Sequence, residues 1–369
     1  MQEDSDKKKR ARVSGVLMIA VVLLCAVGAD LLVNRFSAVN KGARLLIGTY
    51  TDSGSYGVYS ASFDGMKGKL TLIDSAQAGN PSFIVASEDG TRAYSVNEYN
   101  DGRQGVTAYR IDGYATLSVL NSQPLGPGWG EDPCNVLLAG GKMISSDYTG
   151  GDLAAFPLEA DGSLAPVSGV FRWEGGHIHC AALSPDGKYI FVVDLGGDRI
   201  YRFSDTLEDS TVAWQGPEGL GPRHLVFDRK GTHAYLLCEL SDSLVVFDCR
   251  EGVLSPVQTV SAYDGGGHGS ADIHLSPDGR FLYTSHRLAG DGVAIFRVLE
   301  DGRVERAGFL PTGKHPRNFA VSPDGKWLLV ACRDSDSVEV YPLSRGIPGG
   351  KAFTLHLSAP VCLSWFGTK

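Results

Sequence analysis

The 369-residue chain has no segment whose apolar residues recur at a helical period, no Cys-x-x-Cys, no Gly-x-Ser-x-Gly and no excess of positive charge. Each absence excludes something. Without a helical period there is no ordinary mixed α/β domain to build. Without the Gly-x-Ser-x-Gly elbow, serine-nucleophile hydrolysis loses its usual sequence mark. The net charge of −8 argues against a general nucleic-acid binder, so any basic site must be local. Cys134, Cys180, Cys238, Cys249, Cys332 and Cys362 sit within apolar runs without metal-ligand spacing and read as small buried hydrophobes. Export would permit a disulfide among them without demonstrating one.

What the sequence has instead is a repeat. Short apolar runs begin at Pro81, Pro133, His179, Arg223, Ala271, Arg317 and Pro360, a spacing of roughly 44 to 52 residues that marks a radially repeated sheet. Several enter the same turn, Ser184-Pro185-Asp186-Gly187, Ser276-Pro277-Asp278-Gly279 and Ser322-Pro323-Asp324-Gly325, with worn copies at Ser87 to Gly90 and Asp228 to Gly231. Proline presets φ, aspartate bonds locally to the backbone and glycine accepts positive φ, so each turn joins two strands of a hairpin. A third and a fourth strand follow, as in Gly292–Phe296 and Gly302–Arg306, giving a four-stranded blade. The expected fold is all-β, a seven-bladed β-propeller over residues 45–369. Six blades are the alternative, because LLAGGKMISSDY lacks the SPDG turn.

The chain ends support closure of a ring. Pro360 to Phe366 supplies an inner strand with no chain left for outer ones, while Leu45 to Phe63 supplies outer-type strands with no inner strand before them. Pairing the two completes the seventh blade and hides both edges.

Ahead of the propeller, residues 1–12 carry the basic cluster Lys7 to Arg12, and Val13 to Val33 form an almost unbroken apolar run of bilayer-crossing length, followed by a linker over 34–44. The basic cluster should remain in the cytoplasm, which places the propeller on the far side, periplasmic or at the cell surface. Val27-Gly28-Ala29 resembles a cleavage site, so a signal anchor and a cleaved signal peptide both fit.

In a propeller the inner strands start on one face around the channel, and here those starts are polar: His177, His179, Arg223, His224, Asp272, His274, His315 and Arg317. Second strands return to the same face. Eight residues beyond the turn glycine lie Glu98, Glu239, Arg287 and Arg333. Arginines, glutamates and histidines gathered there suit an anionic ligand and a reaction that develops negative charge.

LLIGTYT (45–51), HIHCAALSPDGKYIFVVDLGGDRIYRF (177–203), GPRHLVF with CEL downstream, SADIHLSPDGRFLYTSHR and HPRNFAVSPDGKWLLVAC together resemble the propeller-type lactonase family, which includes bacterial 6-phosphogluconolactonases and fungal carboxymuconate-cyclising enzymes. The resemblance spans essentially the whole propeller. It implies hydrolysis of an anionic small-molecule lactone, such as an acidic sugar lactone, without an obligatory metal; no cofactor is expected, and the net charge speaks against a nucleic-acid partner. It also implies His179, Arg223, Glu239 and Arg287 as catalytic residues, with Arg317 a rival to Arg287, while the strand-start and strand-end positions of His177, His224, Arg317 and Glu98 place them around the substrate. A muconate-type lactonising cyclase and a non-enzymatic binding propeller outside the cytoplasm are the alternatives.

Overall fold

The computed structural model describes residues 42–367 apart from 127, 209, 264, 266 and 267. The basic cluster and the apolar run of the N-terminus lie outside the described residues. Among those residues no helix is long and apolar enough to cross a membrane.

Seven antiparallel sheets make up the fold, six of four strands and one of five. One complete blade runs Pro222–Phe227, His233–Cys238, Ser243–Arg250 and Val253–Ser261, each strand pairing with the next. The first of these lies innermost. The corresponding inner strands are Ile84–Ala86, Pro133–Ala139, Ile178–Leu183, Ser270–Leu275, Pro316–Val321 and Pro360–Phe366.

The hairpin turn explains itself locally. In Ser184 to Gly187 the serine Oγ donates to Asp186 at 2.7 Å and accepts from the Tyr189 amide at 3.0 Å, while Gly187 takes φ 74°. Ser276 and Ser322 repeat the serine–aspartate bond at 2.6 Å. The irregular repeat is a full blade as well. Its first two strands meet at Ala139↔Lys142, so Gly140 and Gly141 form a two-residue hairpin loop, both with positive φ (54° and 71°). That geometry requires the glycine pair and leaves no room for Ser-Pro-Asp-Gly.

Closure follows the chain ends. Pro360–Phe366 pairs with Ala43–Thr49 from Arg44↔Phe366 to Thr49↔Pro360, and the sheet continues to Gly57–Asp64 and Lys69–Gln77. Leu45, Phe63, Leu329, Val340 and Leu363 join this blade to the preceding one, and Leu46, Ile84, Tyr109 and Phe366 join it to the next. Full burial of such side chains contributes roughly 1.5–3 kcal/mol each. The core is thus a set of between-blade clusters, such as Phe191, Leu225, Leu236 and Phe247.

Candidate active site

Two rings of side chains converge where inner strands start and second strands end. The lower ring comes from a kink in the inner strands. Pairing skips Cys134, His179, Arg223 and Arg317, each being the extra residue of a β-bulge. A bulge re-aims its extra residue, here at the channel, while strand pairing resumes behind it. The residue after each bulge ties neighbouring blades together. Asn135 accepts from the Ala181 amide at 3.1 Å, His224 meets Asp272 at 2.8 Å, Asn318 donates to Asp272 at 2.6 Å and accepts from the Leu363 amide at 2.7 Å.

The upper ring is the first residue after each second strand: Tyr50, Glu98, Tyr148, Leu195, Glu239, Arg287 and Arg333. Tyr50, Glu98, Tyr148, Glu239 and Arg287 make the contacts that build the site, whereas Arg333 turns to Asp334 at 2.6 Å.

Glu239 sits between two guanidiniums. Arg223 Nε donates to its Oε2 at 2.8 Å and Arg287 Nη2 donates to its Oε1 at 2.6 Å. Arg223 is 2% exposed and Arg287 7%. Burial alone would raise the Glu239 carboxyl, but Arg223, Arg287 and Arg317 outweigh it and hold it below its ordinary value. Burial and Arg223 push Arg287 down, with Glu239 opposing them. The carboxylate is therefore an anion whose two oxygens are both committed to arginines.

A second charged group continues around the ring. Tyr50 donates its hydroxyl to Glu98 at 2.7 Å, Arg317 approaches the other Glu98 oxygen at 3.5 Å, and the Arg317 guanidinium lies 5.3 Å from the centre of the Tyr50 ring. Burial raises the Tyr50 hydroxyl, so it stays protonated and donates.

The remaining arc is aromatic. His177 stacks on Tyr148 with ring centres 4.6 Å apart, and its Nδ1 lies 3.0 Å from the Tyr148 carbonyl. His179 meets the Tyr148 ring edge-on at 5.8 Å. Its Nδ1 is buried without a hydrogen-bond partner among the described residues. Burial, then Arg223, His224 and the other arginines, lower His179 well below the ordinary histidine value, so it is neutral. An arc of paired arginines and glutamates and a neutral imidazole thus lie at one end of the channel.

A family model for the lactonase, 7-bladed beta-propeller, matches residues 44–365. The chain belongs to this family. The 6-phosphogluconolactonase of Bacillus subtilis (strain 168) is 33% identical over 350 residues, 86% of this chain and 97% of the relative. The 6-phosphogluconolactonase of Formosa agariphila is 31% identical over 83% of this chain and 94% of its own. Among solved structures, the periplasmic gluconolactonase of Pseudomonas aeruginosa is similar with a TM-score of 0.83, at 29% identity over 89% of this chain and 99% of that one.

In this lactonase-family propeller, Arg223, Glu239 and Arg287 are joined by direct contacts, and Arg317 and Glu98 are paired with each other. Arg287 belongs to the upper ring and Arg317 to the lower ring of the adjacent blade. His224 has both ring nitrogens engaged, with Arg223 and Asp272. His177 stacks parallel on Tyr148, whereas His179 stands perpendicular to the same ring. Among the described residues no three His, Cys, Asp or Glu side chains group to hold a metal ion.

Tyr50 and Tyr148 escaped the reading from charge alone. Tyr148 lies eight residues after Gly140, the same register as Glu239, and Tyr50 becomes legible once the closing blade is counted. Position in the repeat, not residue type, was the usable signal.

Proposed function

We propose that the channel mouth hydrolyses the lactone of an acidic sugar, with 6-phosphogluconolactone as the first substrate to test. The observation that carries this reading is the Arg223–Glu239–Arg287 clamp beside the neutral imidazole of His179. A lactone carbonyl placed against the clamp meets two guanidiniums that share one carboxylate, which leaves one net positive charge in a fixed position, the preorganisation that a developing oxyanion needs. Water attacks the carbonyl carbon while His179 takes its proton on Nε2, the ring nitrogen other than the buried Nδ1. The tetrahedral oxyanion rests against the arginines, the ring C–O bond breaks, and the departing alkoxide takes the proton back from His179. Glu239 is an acceptor committed twice over, so in this scheme it orients and neutralises the arginines. His179 is the base. Arg317, with its guanidinium beside Tyr50 and Glu98, holds the anionic substituent of the sugar.

The names of the B. subtilis and F. agariphila relatives support the lactone chemistry. The likeness to a periplasmic enzyme supports a site outside the cytoplasm, as does the basic cluster ahead of Val13 to Val33. A reporter fused after Lys369 is then active only in an extracytoplasmic compartment, and a soluble cytoplasmic fusion overturns that placement.

The deciding experiment is a lactone panel with the full-length protein, in which product acid is detected directly. Turnover of 6-phosphogluconolactone above its spontaneous rate is expected. Arg317→Ala should raise KM for the phosphorylated lactone by roughly 10- to 100-fold and leave that for unphosphorylated gluconolactone nearly unchanged. No turnover of any lactone overturns the enzyme reading, and equal effects on both substrates overturn the role of Arg317.

A further inference from the structure

Each arginine of the clamp is backed by a histidine, and each histidine by a carboxylate. Arg223 Nη1 lies 3.2 Å from His224 Nε2, and His224 Nδ1 lies 2.8 Å from Asp272 Oδ1. Arg287 Nη1 lies 3.4 Å from His315 Nε2, and His315 Nδ1 faces Asp334 Oδ2 at 3.4 Å. A guanidinium can only donate, so both Nε2 atoms must be unprotonated acceptors. The ring hydrogen is then on Nδ1, where Asp272 receives it from His224 and the Asp334 carboxylate faces it in His315. Both histidines are neutral and both hold the same tautomer.

The two arrangements are not copies made by the repeat. His224 follows Arg223 on one inner strand and reaches Asp272 on the inner strand of the next blade. His315 instead precedes the inner strand Pro316–Val321, one blade beyond Arg287. Its backbone takes the left-handed φ of 57°, held by Asp291 accepting from the His315 amide at 2.7 Å. Left-handed backbone at a non-glycine residue persists where surrounding contacts enforce it. Arg317, the third arginine, has Glu98 and the Tyr50 ring as its neighbours and no such backing among the described residues.

We propose that His224 and His315 are a matched pair of positioning residues, which lock the guanidiniums of Arg223 and Arg287 in the planes needed to receive an oxyanion. The proposal rests on the lactonase reading for its chemistry. Each guanidinium is fixed on three sides. Arg223 gives Nε to Glu239 and Nη1 to His224 and to the Ala271 carbonyl. Arg287 gives Nη2 to Glu239, Nη1 to His315 and Nε to the Gly269 carbonyl at 3.4 Å. With the plane set, the N–H groups not used in these contacts point where the fold aims them. The rotational search is completed before substrate arrives.

The lock has a built-in acid limit. A protonated histidine would present an Nε2–H to an arginine N–H, turning attraction into repulsion. Burial and Arg223 push His224 down to about 4, opposed by Asp272, with His274 adding repulsion and His179 lying 5.2 Å away ring to ring. Burial, Arg287, Arg333 and Arg317 push His315 down to about 3, opposed by Asp334. Both therefore remain acceptors across the neutral and mildly acidic range.

The test compares acceptor-keeping and acceptor-lacking variants of the full-length protein. His224→Leu and His315→Leu should each lower kcat by about 10- to 100-fold with a smaller change in KM. His224→Gln and His315→Gln, whose amide oxygen can still accept, should recover most of that loss. Because glutamine does not titrate, the acid-induced release of the two guanidiniums should move to lower pH in the double Gln variant. Nitrogen-15 NMR of the arginine side chains gives a readout independent of turnover. Two guanidiniums should rotate slowly in the wild type, and each should keep that behaviour with Gln and lose it with Leu. If the Leu variants do not fold, the Gln pH profile and the arginine spectra still decide. Slow arginine rotation lost at the same pH in the double Gln variant as in the wild type, Gln variants no more active than folded Leu variants, or freely rotating arginines in the wild type overturn the proposal. Slowed arginines in a wild-type protein that turns over no lactone overturn the lactonase reading and leave the positioning intact.

Discussion

Glu239→Gln removes one negative charge and nothing of comparable size, so its consequences follow from what remains. Two guanidiniums, on residues 2% and 7% exposed, lose their shared counter-ion while their mutual repulsion persists. Removing one partner of a fully buried ion pair costs about 3–5 kcal/mol. The Glu239 side chain is 20% exposed, so water relieves part of this and about 2–3 kcal/mol is the reasoned cost. For a domain of this size that lowers the unfolding midpoint by about 5 °C. An anion binding between the arginines should restore stability. Inorganic phosphate at about 100 times its dissociation constant returns about 2.7 kcal/mol. Turnover should fall by about 10² to 10³, because the arginines are no longer held for the oxyanion. The assay is calorimetric unfolding of wild type and variant with and without phosphate, beside kcat on the best lactone. An unfolding midpoint equal to wild type and indifferent to phosphate refutes the clamp, and wild-type turnover refutes its part in the reaction.

Deleting Pro360 to Lys369 strips Val361, Cys362, Leu363 and Phe366 from the core and the partner from Ala43–Thr49, so the domain should lose its cooperative unfolding transition. An unchanged transition by calorimetry refutes closure. Gly269→Ala would set a Cβ 2.4 Å from the Arg287 carbonyl oxygen at a φ of 145°, and Gly269 also accepts from Arg287, so activity should fall at least about tenfold. Full activity in that variant shows that Arg287 does not depend on this contact. Stability should decline as pH falls from about 6.5 toward 4. Burial and Arg223 depress His224 to about 4, the unfolded chain therefore binds more protons in that window, and the free energy of unfolding falls with pH there. Urea midpoints measured across the window check this, and His224→Gln should flatten the slope. The same slope in both proteins assigns the effect to another group.

The repeat was legible because a blade is local. Ser-Pro-Asp-Gly makes its turn with its own side chains, alternating apolar residues make the strands, and the missing strands at the two chain ends imply closure. The one hesitation, six blades or seven, came from Gly140-Gly141, a tighter turn with a different signature for the same hairpin. Register within the repeat also pointed to Arg223, Glu239 and Arg287, since equal positions in successive blades must converge around one axis. Tertiary structure alone decided how these charges are used. Arg333 shares the register of Arg287 but turns to Asp334, while Tyr50 and Tyr148, silent by charge, take places in the ring. His224 was legible as a polar strand start and turned out to have both nitrogens spent, one on an adjacent arginine and one on a carboxylate 48 residues away. Sequence spacing fixes which backbone positions meet. Which donor reaches which acceptor depends on bulges, rotamers and neighbouring blades, quantities that exist only once the ring has closed.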